Sequence, residues 1–313
     1  MIKQMAYLII GFVLLIKGAD IFVENSSKLA IKMKVPAIVI GLTIVAFGTS
    51  APEAAISINS ALNGNASLAI GNIIGSNIIN VLLILGISGC IAKLKVNCNT
   101  YNYEIPFVML ITLILIILGK LGGAISRFDG IILWVLFLLF LCYLYYLIKK
   151  DENITIDEIN ELSDKDSLFR LIVVIFLSII AIIIGSNLTT KASVYLAEAI
   201  GVSQRIIGLT VIAFGTSLPE LVTSVTATWK NKCDLAVGNI IGSNIFNILF
   251  VLGTTALVAS DKIFFDNNFI IDGLVAIVAL ILLYMFINKD YYLRKIGAII
   301  MLIGYIIYFI WIL

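Results

Sequence analysis

GLTIVAFGTSAPE, Gly41 to Glu53, recurs as GLTVIAFGTSLPE, Gly208 to Glu220, with 10 of 13 residues identical. At the same offset of 167 residues, LAIGNIIGSNIIN (Leu68 to Asn80) recurs as LAVGNIIGSNIFN (Leu235 to Asn247), with 11 of 13 identical and no insertion between the blocks. Two long matches at one fixed spacing make the chain an internal duplication, whose copies are held to the same structural constraints.

Around these blocks the chain is strongly apolar. Of 313 residues, 61% are hydrophobic and 13% charged, about half the charge of an ordinary soluble domain. A bilayer span needs roughly 20 mainly apolar residues, so this composition fills nine or ten spans and excludes a soluble globular enzyme. Apolar runs between polar breaks predict spans near 5–23, 36–62, 67–92, 104–121 and 129–148, then 169–187, 203–229, 234–260, 270–288 and 293–313. Each half holds five. An odd number of spans per copy makes the second copy enter the membrane from the opposite side. The expected fold is therefore an all-α integral membrane protein of ten transmembrane helices in two inverted-topology five-helix repeats, an arrangement typical of transporters. The N-terminal MIKQMAYLIIGFVLLIKGAD has the charge-then-apolar profile of a signal peptide without a small-x-small cleavage site, and it reads as the first span.

The repeats are expected over 1–150 and 168–313. Between them DENITIDEINELSDKDS, residues 151–167, carries seven acidic residues. It lacks the D-x-D-x-D-G order of an EF-hand loop, so a solvated cytoplasmic linker is a better reading than a calcium sensor. Lysine and arginine set the orientation: fourteen fall on one side and six on the other, with Lys17 inside the first span. The richer side is cytoplasmic, which places both termini outside a cell-membrane, multi-pass protein. Net charge is +2 with no basic block, which argues against a nucleic-acid partner. There is no histidine, and Cys90, Cys98, Cys142 and Cys233 show no CxxC spacing, which removes histidine-based zinc and haem sites and imidazole chemistry. A Cys90–Cys98 disulfide is conceivable, but isolated thiols near span ends are ordinary membrane residues. No cofactor is expected; the partners are transported ions and the lipid bilayer, and a monomer suffices.

Carboxylates within hydrocarbon are costly and face polar cavities. Glu53 and Glu220 are the deepest, each following an identical Gly-Thr-Ser-x-Pro run. Proline removes a backbone donor and clashes with the carbonyl four residues earlier, so the helices should break near Gly48–Pro52 and Gly215–Pro219. Carbonyls freed at such breaks attract cations, and Thr49, Ser50, Thr216 and Ser217 lie beside them. Hard oxygen ligands of this kind suit calcium and sodium. A plain proline kink, its glutamate paired with a neighbouring hydroxyl, is the simpler alternative, but the same motif in both inverted copies argues against it. In the second block Asn72, Ser76 and Asn80, and likewise Asn239, Ser243 and Asn247, recur every four residues and share a helix face. They should face the same cavity, while Gly71, Gly75, Gly238 and Gly242 admit close helix packing.

The GTS-x-PE and GN-x-x-GSN-x-x-N blocks together resemble the two alpha repeats of the sodium/calcium exchanger family, over essentially the whole chain. The resemblance implies discontinuous helices 2, 3, 7 and 8. It implies that Glu53 and Glu220 hold calcium centrally with the backbone of Thr49 and Thr216. It further implies sodium sites at the Ala46 carbonyl, Ser50 and Ser76 in one half and at the Ala213 carbonyl, Thr216, Ser217 and Ser243 in the other, with Asn80 and Asn247 completing the centre. Many members carry an aspartate where Asn247 stands. With two carboxylates, one calcium or two sodium ions neutralise the site, and a third sodium would rest on neutral oxygens and helix dipoles; the same asparagine pair occurs in bacterial members.

Two unpaired carboxylates in a low-dielectric cavity resist crossing the membrane empty, which is the physical requirement of antiport. Spans 1 and 6 are expected to slide against a core of spans 2, 3, 7 and 8. Protons compete for the same carboxylates, so proton/calcium antiport is the alternative; the hydroxyl-rich flanks favour sodium. A passive channel and an intramembrane enzyme are weaker alternatives, because broken inverted repeats favour alternating access and the parts of a serine-histidine or GxGD protease are missing.

Overall fold

The structure is a computed structural model that describes residues 2–62, 66–150, 167–199, 201, 213–287 and 289–312. The described chain is helical. In chain order the elements are α1 (Lys3–Met33), α2 (Ala37–Thr49), α3 (Ala51–Leu62), α4 (Leu68–Ile91), α5 (Thr100–Gly122), α6 (Arg127–Lys149) and α7 (Leu168–Ala199). There follow α8 (Ala213–Thr216), α9 (Leu218–Trp229), α10 (Cys233–Val258), α11 (Asn267–Phe286) and α12 (Lys295–Ile312). Among the described residues, eight helices are long and apolar enough to cross a bilayer, and α2 with α3 adds a ninth, bent span. The linker assigned to 151–167 and the first part of the span assigned to 203–229 fall almost wholly outside the described residues.

Two spans are much longer than the sequence suggests. α1 has 31 residues and α7 has 32, against the 19 allotted to each. Both continue past the apolar run through polar turns such as Glu24–Lys28 and Asn187–Lys191, because no proline or glycine stops them there. They pack against each other over most of their length. Glycines set that crossing: a Cβ at Gly11 would lie 2.9 Å from the Gly185 carbonyl, and one at Gly185 would lie 2.8 Å from the Gly11 carbonyl. Small residues of this kind let membrane helices approach backbone to backbone.

The breaks occur where the prolines put them. α2 and α3 meet at Ser50 (φ −81°, ψ 6°) with a bend of 49°, and α8 and α9 meet at Ser217 (φ −87°, ψ 5°). Pro52 and Pro219 are each the second residue of the following helix, where a missing N–H costs nothing. The discontinuity expected in the third and eighth spans is not found. α4 and α10 each run unbroken, with a π-helical turn at Ile79–Ile84 in one and at Asn247–Leu252 in the other. Neither block contains proline, so no donor is lost, and the backbone widens instead of parting.

Burial follows position. The apolar window of α10 is 94% buried and that of α12 only 17%, so α10 is the centre and α12 faces lipid. Around α10, Phe47, Trp134, Phe137, Phe246 and Phe250 form an aromatic cluster of edge-to-face, tilted and stacked pairs joining α2, α6 and α10, and Trp134 Nε1 donates to Thr254 Oγ1 at 3.2 Å. Two antiparallel ribbons of two residues tie the halves at the ends of the bundle. β1 (Leu94–Lys95) pairs with β4 (Tyr292–Leu293), and β2 (Ala124–Ile125) pairs with β3 (Ile263–Phe264).

Candidate cation-binding site

Glu53 and Glu220 lie in the first turns of α3 and α9, where helix dipoles favour negative charge. Both are buried, Glu53 at 0% and Glu220 at 1% exposure. The two breaks serve each other's carboxylate. Ser50 Oγ donates to Glu220 Oε1 at 3.0 Å, and Ser217 stands beside Glu53 together with Ser76, the two serine hydroxyls being 3.4 Å apart. The carboxylates are near enough for their charges to interact. Among the described residues no lysine or arginine forms an ion pair with either.

α4 and α10 supply the amides. Asn80 Nδ2 donates to Asn244 Oδ1 at 2.9 Å, and Asn247 Nδ2 donates to Asn77 Oδ1 at 3.2 Å. Asn77 and Asn244 also exchange bonds with one another's backbone carbonyls, at 3.3 and 3.4 Å. With one N–H of each amide held in this way, the carbonyl oxygens of Asn80 and Asn247 are left without a partner. On the flank, Asn239 accepts from Thr49 Oγ1 at 2.9 Å and donates to Ser224 Oγ at 2.9 Å and to the Glu220 carbonyl at 3.4 Å.

What remains is a set of buried acceptors without donors. Glu53 Oε1 and Oε2, Glu220 Oε2, Asn80 Oδ1, Asn247 Oδ1 and Ser243 Oγ have no hydrogen-bond partner among the described residues. Six orphaned oxygens, three of them on carboxylates, would be expensive in a protein interior. A hard cation removes the cost, since it takes oxygen ligands of this kind and supplies the missing charge. No group of three or more His, Cys, Asp or Glu occurs among the described residues, so the donor set is not that of a tight transition-metal site.

Most of the anticipated residues are buried, and of these Thr49, Ser50, Ser76 and Ser217 lie next to the glutamates. Thr49, Ser50, Ser76, Ser217, Ser243, Asn80 and Asn247 are at most 3% exposed, and Thr216 is 7% exposed. The Ala46 carbonyl, by contrast, already accepts the Ser50 N–H at 3.0 Å and lies 3.3 Å from Thr49 Oγ1. Ala213 opens α8, and its backbone is placed at the helix start. Sequence reasoning missed Asn77 and Asn244, the residues that orient the two site amides. Their signal was present, as the Asn of the GSN run in both copies of the second block, but they lie one position off the four-residue stripe.

The sodium/calcium exchanger protein family profile matches residues 3–146 and 170–313. Inner membrane protein YrbG of Escherichia coli is 34% identical over 270 residues, 84% of this chain and 82% of that one. Sodium/calcium exchanger MaX1 of Methanosarcina acetivorans is 31% identical over 348 residues, 97% of this chain and 96% of that one. Among solved structures, the sodium-calcium exchanger NCX_Mj soaked with 10 mM Na⁺ and zero Ca²⁺ superposes with a TM-score of 0.84 at 31% identity, covering 98% of this chain and 97% of the other.

Proposed function

Because the chain belongs to the sodium/calcium exchanger family, we propose that it exchanges sodium for calcium across the cell membrane by alternating access, binding both ions at the centre built on Glu53 and Glu220. The observation that carries this reading is the orphaned oxygen set, two carboxylates with amide and hydroxyl oxygens and no neutralising side chain. One calcium or two sodium ions balance the two charges. Thr49, Ser50, Ser76 and Asn80 would serve from one half, and Thr216, Ser217, Ser243, Asn247 and the Ala213 carbonyl from the other; the Ala46 carbonyl, which accepts the Ser50 N–H, would join through its second lone pair.

The proposed architecture is ten spans in two inverted repeats, residues 1–150 and 168–313. The tenth is the span expected at 203–229, of which α8 and α9 are the described part. The matched dihedrals at Ser50 and Ser217 and the reciprocal Asn77–Asn244 bonds support it. In the proposed orientation both termini are extracellular and the 151–167 linker is cytoplasmic. No cofactor or nucleic acid enters the reading, and a monomer is sufficient.

α1 and α7 form the proposed moving pair. α1 packs along α9, while α7 makes no comparable contact with α3 among the described residues; one side of the centre is thus closed and the other is not. At the closed end Lys230, the residue after α9, reaches Asp20 Oδ1 at 2.7 Å, the Asp20 carbonyl at 3.1 Å and Glu24 Oε2 at 3.7 Å on α1. At the 167-residue offset the corresponding positions are Asn63, Asn187 and Lys191, which carry no carboxylate for an equivalent ion pair. Lys230→Ala should release this end. The three groups are 30–53% exposed, so the expected bias is about 1 kcal/mol, roughly fivefold. It is read as faster labelling of cysteines placed on the Glu24 face of α1 by an impermeant thiol reagent; unchanged labelling would detach the latch from the access equilibrium.

The deciding experiment is calcium-45 uptake into sodium-loaded proteoliposomes diluted into sodium-free buffer, with potassium and pH varied in parallel. Uptake requiring internal sodium supports sodium/calcium exchange. Uptake driven equally by a proton gradient without sodium would replace it with proton/calcium antiport. The Ser76 and Ser217 hydroxyls beside Glu53 favour sodium, since a proton needs only the carboxylates.

A further inference from the structure

A third carboxylate is as deeply buried as the central pair. Glu104, at 1% exposure, sits in the π-helical turn Thr100–Glu104 that begins α5. One of its oxygens, Oε1, accepts from Tyr143 Oη of α6 at 2.6 Å. The other, Oε2, makes no well-formed hydrogen bond among the described residues; Thr100 Oγ1, on a side chain that is 0% exposed, stands beside the carboxyl as a weak donor and has no other partner. The charge that acts on Glu104 from α10 is that of Asp234, of the same sign. Tyr103 of its own turn stacks at a tilt near Tyr143, ring centres 6.5 Å apart. On α11, which also packs on α5, Asp272 is engaged by Tyr308 Oη at 2.9 Å.

A buried carboxylate with one strong donor, one weak donor and a negative neighbour is left with a charge the protein does not balance, and such a charge is expensive in a membrane interior. We propose that Glu104 is a second binding position for one positive charge, a sodium ion or a proton, separate from the central cluster. Either occupant satisfies the same two atoms. A proton on Oε2 would be donated to Thr100 Oγ1; a sodium ion would take both as ligands. A mainly apolar groove of about 420 Å³, lined by Tyr103, Glu104, Phe107, Leu110, Leu139 and Tyr143, opens beside this residue, and Asn102 and Tyr103 at its rim are exposed. Charging and neutralising this group would tighten or loosen α5 against α6 and against α10, the helix that carries Ser243 and Asn247.

The test is infrared difference spectroscopy of the purified full-length chain, titrated separately with pH and with sodium, for the wild type, Glu104→Gln and Tyr143→Phe. A protonated-acid carbonyl band present in the wild type and lost in Glu104→Gln identifies a proton as occupant. A sodium-dependent shift of a carboxylate band, lost in the same variant, identifies sodium. Tyr143→Phe removes the donor to Oε1 and should move whichever band belongs to Glu104 without abolishing it, which keeps the test alive if the glutamine variant fails to fold. Identical spectra for wild type and both variants in both titrations would overturn the proposal. None of these readouts depends on transport, so failure of the exchange reading and failure of this one are distinguishable.

Discussion

Glu53→Gln abolishes sodium-driven calcium uptake while leaving the ion-free protein at least as heat-stable as the wild type: that is the expected result. Both Glu53 oxygens lack donors and share a low-dielectric site with Glu220. A divalent cation bound there loses half its neutralising charge when one carboxylate becomes an amide. Breaking one partner of a buried charge arrangement costs about 3–5 kcal/mol, at least about 100-fold in calcium affinity. Without ions the balance reverses, because glutamine removes a buried unpaired charge and its NH₂ can meet the Ser76 and Ser217 hydroxyls beside it. A gain of about 1 kcal/mol corresponds to roughly 2–4 °C for a chain of this size. Calcium at about 100 times its dissociation constant should add about 2.7 kcal/mol to the wild type and at most about 0.4 kcal/mol to the variant. Thermal unfolding with and without calcium, beside the flux assay, checks both halves. A variant that calcium stabilises as much as the wild type would show that the ion is held elsewhere.

The sequence carries the fold and the centre to different depths. The duplicated Gly-Thr-Ser-x-Pro-Glu runs locate the helix breaks within the windows Gly48–Pro52 and Gly215–Pro219, because proline's lost donor acts locally and needs no tertiary context. The unbroken course of α4 and α10 was not legible, since a π-helical turn answers to packing against neighbours and has no residue that marks it. The lengths of α1 and α7 were underestimated for a related reason: hydropathy registers the apolar part of a helix, while helix formation continues through Glu24, Lys28 and Thr189 until a breaker appears. At the centre, periodicity found Ser76, Asn80, Ser243 and Asn247 as one face. It passed over Asn77 and Asn244, which face the opposite chain segment, because a bond between α4 and α10 has no sequence periodicity. Glu104 lay at a predicted span boundary, where a carboxylate is ordinarily solvated; only its burial distinguishes it.

Gly242→Val tests the packing that brings these residues together, and it should fail in the opposite manner to the glutamate variant. A Cβ at Gly242 would lie 2.7 Å from Leu42 Cα and 2.8 Å from the Leu42 carbonyl, and one turn earlier a Cβ at Gly238 would lie 2.9 Å from Gly41 Cα. Backbone cannot yield as a side chain tip can, so α10 must withdraw from α2. Asn239, between those glycines, would lose the 2.9 Å bond from Thr49, and Ser243, next to Gly242, would leave its place among the orphaned oxygens. Overpacking of this type costs about 1–3 kcal/mol or more. Transport should be lost with both glutamates intact, calcium should no longer raise the unfolding temperature, and the ion-free unfolding temperature should fall, whereas Glu53→Gln leaves it level or raises it. Gly304 on α12, where an added Cβ meets nothing within 4 Å, is the control, and Gly304→Val should transport normally. If Gly242→Val also transported normally at unchanged stability, the glycine approach would be incidental. The centre would then be held by its hydrogen bonds alone, and Asn77→Ala and Asn244→Ala would become the variants that take the site apart.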